Sequence, residues 1–77
     1  MKELLVAIVS GLVESPEGIE VTADEPNEEG IVVYHLHVAE GDMGRVIGKQ
    51  GRIAKAIRTV MRAAANRNGD KVAVEID

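Results

Sequence analysis

Apolar residues recur at helical spacing from Lys2 to Glu14, where Leu4, Leu5, Ile8, Val9, Leu12 and Val13 repeat every three to four positions and Ser15-Pro16 closes the pattern. The spacing predicts a first helix over residues 2 to 14. Its apolar side chains spread over an arc of roughly 200°, where a surface helix needs about 100°, so part of that face requires a second cover. At residues 18 to 24, GIEVTAD, the period shortens to two: Ile19, Val21 and Ala23 alternate with Glu20, Thr22 and Asp24, as in a half-buried strand. A turn, EPNEEG, occupies Glu25 to Gly30. The run IVVYHLHVA then reads as a second strand, with Val32, Tyr34, Leu36 and Val38 on one face and Val33, His35 and His37 on the other. Antiparallel pairing is the simplest connection between the two.

Gly41-Asp42 marks the next start, with Asp42 as N-cap of a short helix through Ile47. Gly48 to Gly51 interrupts it. From Arg52 to Asn66, Ile53, Ile57, Val60, Met61 and Ala64 form an apolar stripe, while Arg52, Lys55, Arg58 and Arg62 fall within about 120° on the other side. That arc is a basic face. Asn68-Gly69 ends the helix, and Val72, Val74 and Ile76 alternate in a last strand. The order is α-β-β-α-(GxxG)-α-β, an α+β class. Without repeat, low-complexity tract or linker, residues 1 to 77 are expected to form one domain.

A chain of 77 residues buries only about 60 to 65 per cent of its unfolded surface, so a large catalytic cleft is not expected. The lack of cysteine excludes disulfides and thiolate chemistry and fits a reducing cytoplasm, the expected location. The apolar run LLVAIVSGLV is short of the roughly 20 residues that span a bilayer and follows Lys2-Glu3 rather than a basic leader, so neither signal peptide nor membrane segment is expected. A net charge of −4 argues at first against a polyanionic partner. Its distribution reverses the argument. Residues 1 to 44 carry ten acids and one base, whereas residues 45 to 77 carry eight bases and three acids, so the basic half can hold phosphates.

The centre of that basic half is GRVIGKQGRIAKAIR, residues 44 to 58. Two glycines around two long polar residues let the backbone turn sharply and approach a ligand without an intervening Cβ. The second glycine precedes a helix N-terminus, whose amides attract phosphate, and Arg45, Lys49, Arg52 and Lys55 add full charges. A bare GxxG is more often a tight turn between helices than a binding loop. Here the string Val46-Ile47-Gly48-Lys49-Gln50-Gly51-Arg52-Ile53 resembles the V-I-G-x-x-G-x-x-I core of the KH domain, with Ile53 one place early and Ala54 in its usual position. The extra helix and strand before that core, and the strand after it, resemble the type II KH fold, which implies a three-stranded sheet with three helices on one face. The opening apolar helix, YHLHV and DMGRVIGKQGRIAKAIRT are similar to the small single-domain KhpA family of bacteria. The resemblance covers the whole chain.

That resemblance implies single-stranded RNA binding through a loop that clamps about four backbone nucleotides. It also implies a role in post-transcriptional regulation or as an RNA chaperone, a link in some bacteria to cell elongation and division, and a homodimer or a heterodimer with a second KH protein. Gly48, Lys49, Gln50 and Gly51 match the clamp, Ile47 the apolar base of the nucleotide groove, and Arg45, Arg52 and Lys55 its flanks. Arg58 and Arg62 lie further along the helix and are weaker candidates. Tyr34 is the one aromatic residue and is in phase with the core, so the stacking platforms of RRM and OB folds are not available.

Other readings fit less well. A P-loop needs four residues between its glycines and a Ser or Thr after the lysine; Gly44 to Gly48 encloses three, and Gln50 follows Lys49. His35 and His37 share a strand face with chelating spacing, but no cysteine helps, and two half-exposed histidines on an open sheet are the plainer account, so no metal or other cofactor is expected. The acids of EPNEEG read as a solvated turn, and without a nucleophile-base pair no enzyme is expected. A helix-turn-helix DNA reader needs neither two turn glycines nor flanking strands. The main alternative is a dimerising subunit that docks a second KH protein, motivated by the broad apolar first helix and the small-residue strip Ala56, Val60, Ala63 and Ala64.

Overall fold

The computed structural model describes residues 1–77. Helix α1 (Lys2–Ser10), strand β1 (Glu20–Ala23) and strand β2 (Ile31–His37) precede helix α2 (Met43–Ile47); helix α3 (Arg52–Arg67) and strand β3 (Lys71–Ile76) follow the glycine loop. β1 pairs antiparallel with β2, and β2 pairs parallel with β3, in the order β1-β2-β3. The parallel pair requires a crossover, which α2, the loop and α3 supply. No helix is long and apolar enough to cross a membrane.

The register aligns Val21, Leu36 and Ile76 across the sheet, and Tyr34 beside Val74. Val21, Leu36 and Val74 are buried against Leu5 and Val9 of α1, Val46 of α2, and Ile57 and Met61 of α3, so all three helices cover one face. The opposite face carries Glu20, Thr22, His35 and Glu75, as the period-two pattern requires. Only 12 of 77 residues are buried, so each large core side chain carries a substantial share of the stability, about 1.5 to 3 kcal/mol.

Four local expectations need correction. First, α1 ends at Ser10 rather than Glu14: Gly11 weakens the helix, and the amides of Leu12 and Val13 turn back to the Val9 carbonyl at 2.9 and 3.2 Å. Second, Asp42 precedes α2 but its side chain caps nothing there. Its carboxylate accepts instead from the amides of Glu14 and Ser15, each at 3.0 Å, and is 3 % exposed. It thus ties the segment between α1 and β1 to the start of α2. Third, the buried stripe of α3 runs through Ala54, Ile57, Met61 and Ala65, and Val60 is 48 % exposed. Fourth, α3 runs one residue past Asn66 before Gly69, at φ 77°, closes it with amide bonds from Gly69 to Asn66 and from Asp70 to Ala65.

The wide apolar face of α1 receives only part of its cover. Leu5 and Val9 are buried, whereas Leu4, Val6, Ile8 and Leu12 are half-buried at the rim of the core. Between α1 and α3, Ile8, Leu12, Ile53, Ala56, Ile57 and Val60 line a wholly apolar groove of about 230 Å³.

Removing the Asp42 carboxylate leaves two partly buried amides without acceptors. Asp42→Ala is expected to lower unfolding free energy by about 2 to 4 kcal/mol in urea titration, and Asp42→Asn, which keeps one acceptor, by about half as much. An Asp42→Ala protein within about 0.5 kcal/mol of the wild type would remove the tether from this account.

Candidate nucleic-acid interface

The segment Gly48 to Gly51 joins α2 to α3 through a single tight turn over Lys49–Gly51. The Gly48 amide closes α2 by donating to the Gly44 carbonyl at 2.9 Å, and its φ of 75° and ψ of 175° lie in a region that is essentially glycine's alone. A Cβ at Gly48 would fall inside the Ile53 side chain, 2.8 Å from its Cβ and 3.0 Å from its amide nitrogen. Gln50 (φ 58°, ψ 26°) and Gly51 (φ 73°, ψ 13°) are both left-handed. Gly51 faces open space. The two glycines therefore act differently: Gly48 lets the loop lie on Ile53, and Gly51 leaves its outer side bare.

Lys49 and Gln50 are exposed at the tip. No side chain caps the N-terminus of α3, whose N-cap is Gly51, so partial positive charge is open to solvent there. Arg52 and Lys55, three apart on α3, share a face beside it and are exposed. Arg52 Nη2 makes a long contact of 3.5 Å to Gln50 Oε1. Neither Lys49, Arg52 nor Lys55 is in an ion pair. Ile47, 39 % exposed, gives the loop an apolar neighbour.

Arg45 stands apart from this set. Its Nη2 donates to Glu14 Oε1 at 2.7 Å, and its Nε lies 3.4 Å from Asp42 Oδ1, so the guanidinium is engaged by two carboxylates. Long helical side chains lean toward the N-terminus, here toward Asp42 and away from the glycines. Arg58 is not merely solvated: its Nε donates to the Val74 carbonyl at 3.1 Å, on the strand next to α3. Arg58 and Arg62 line a groove with Val72, Ala73, Val74 and Glu75.

On the far face of the sheet, His35 is committed to carboxylates across the strands rather than paired with His37. Its Nε2 is 2.8 Å from Asp24 Oδ2 and its Nδ1 3.7 Å from Glu75 Oε2. The hydrogen bond with Asp24 raises its pKa above the usual histidine value, against a smaller effect of desolvation.

The KhpA/KhpB KH-domain family model matches residues 2–76. The chain is 49 % identical over 76 residues to RNA-binding protein KhpA of Listeria monocytogenes, covering 99 % of this chain and 97 % of that one. Against RNA-binding protein KhpA of Clostridium perfringens the identity is 53 %, covering 99 % of both. Among solved structures, Aquifex aeolicus Era bound to GDP and AlF4− superposes with a TM-score of 0.67 at 24 % identity, covering 96 % of this chain and 28 % of that one. That last likeness is one of fold.

The glycine asymmetry predicts unequal costs. Gly51→Ala is expected to destabilise by about 1 kcal/mol, the left-handed penalty alone. Gly48→Ala combines a glycine-only conformation with overlap on Ile53 and is expected to cost about 3 kcal/mol or more. Equal midpoints for the two variants in denaturant would contradict the loop geometry.

Proposed function

The chain belongs to the KhpA/KhpB family of KH domains, and on that premise we propose that its GxxG loop clamps the backbone of single-stranded RNA. The family is one of binding modules rather than enzymes. The observation that carries the reading is the loop itself. It has a bare glycine flank, an uncapped helix N-terminus and three cations, Lys49, Arg52 and Lys55, free of internal carboxylates. Phosphate oxygens are the acceptors that such a surface lacks. Ile47 provides apolar contact for a base, and no aromatic platform is needed.

A clamp of this kind holds backbone and reads little sequence, which suits an RNA chaperone or post-transcriptional regulator acting on many transcripts in the cytoplasm. Three phosphate contacts at about −0.7 each give a log-log salt slope near −2, so raising salt from about 50 to 200 mM weakens binding roughly 20-fold. Lys49→Asp with Gln50→Asp, both on exposed residues, is expected to weaken binding by at least about 30-fold with an unchanged melting temperature. Fluorescence anisotropy with a labelled single-stranded RNA reads both. A flat salt response, or equal binding by the double variant, would reject the clamp.

A second reading, compatible with the first, is favoured by the apolar groove between α1 and α3. The groove accepts a helix of a second KH domain, giving a homodimer or a heterodimer. Val60, which lines it and is 48 % exposed, tests this. Val60→Asp is expected to leave the fold intact and to abolish self-association in sedimentation equilibrium. A wild type that remains monomeric at every concentration would rule out the homodimer.

A further inference from the structure

The site contains one cation that its own chain holds back. Arg45 sits on α2 three residues before Gly48, about 4.5 Å along the helix axis, and is half-exposed, so its side chain can turn toward the loop once it is released. It is nevertheless engaged by Glu14 and Asp42, a trio that is net negative. The two carboxylates are not equivalent. Asp42 is buried and spends both oxygens on backbone amides, so it cannot leave. Glu14 is 73 % exposed at its side chain, accepts from Arg45 alone and is free to swing into water. One of the two amides that Asp42 fixes is that of Glu14 itself. The buried carboxylate thus delivers the exposed one to the arginine.

We propose that Glu14 is an internal competitor of RNA phosphate for Arg45, which sets the affinity and salt response of the GxxG site. The proposal rests on the backbone-clamp reading. In the free protein Arg45 is paired; a phosphate can gain it as a fourth cation only by breaking that ion pair, so the three cations of the loop carry the wild-type contact. Both acceptors offer a guanidinium the same geometry, so exchange loses no hydrogen bond to Arg45. Exposed pairs of this kind are weak, so the competitor lowers affinity modestly rather than closing the site.

The test is a double-mutant cycle of Glu14→Gln and Arg45→Gln, read by anisotropy with a labelled single-stranded RNA across a salt series, with circular dichroism on every sample. Glu17→Gln, an equal charge change in the same segment between α1 and β1 with no arginine partner, controls for general electrostatics. Glu14→Gln is expected to bind about two- to fivefold more tightly at low salt, with the slope steepening from near −2 toward −2.8. The gain should vanish in the Arg45→Gln background and be absent in Glu17→Gln. A gain that persists without Arg45, or that Glu17→Gln matches, overturns the proposal. So does an unchanged affinity for Glu14→Gln while Lys49→Asp with Gln50→Asp still abolishes binding, a result that leaves the clamp standing. Equal binding by that loop variant and the wild type overturns both.

Discussion

The buried carboxylate of Asp42 is the interaction on which the arrangement depends. A charged group that is 3 % exposed must be satisfied, and here two amides from a segment nearly thirty residues earlier satisfy it, with Arg45 alongside. That demand fixes where the chain runs between α1 and β1. It also anchors the start of α2, whose other end is Gly48. The loop is therefore held from both sides: at one end by a buried ion, at the other by Ile53 packed where a Cβ would be.

The helices that cover the sheet also divide the surface. α3 turns its core stripe inward, a cationic flank toward the loop and β3, and an apolar flank toward α1. One helix thus serves the core, the proposed RNA contact and the proposed partner contact with three faces. Substitutions on α3 are consequently separable by face. The acids gathered in the first half of the chain lie partly on the far side of the sheet, where Asp24 meets His35, and partly at Glu14, beside Arg45.

Element order and loop position were legible because their signals are local. Period-two runs in residues 19 to 24 and 31 to 38, and glycines at 48 and 51, needed no knowledge of the rest of the chain. What escaped was set by contacts distant in sequence. The path of the chain at Glu14 and Ser15 depends on Asp42, and the occupation of Arg45 depends on Glu14; no spacing rule links residues about thirty apart. The stripe on α3 was misplaced for another reason. Ala54 and Ala65 carry little hydropathy, so the larger Val60 drew the apparent axis of the stripe away from its true centre.

The parallel pairing of β3 with β2 has a kinetic consequence. Ile31 meets Lys71, so about forty residues must be spanned before the first bond of that ladder can form. Those residues contain α2, the glycine loop and α3, and the entropy of closing so long a loop is offset only when they have compacted. The pairing of β1 with β2 spans far fewer residues, so the parallel half of the sheet, and with it the crossover that carries the glycine loop, is the costlier part to close.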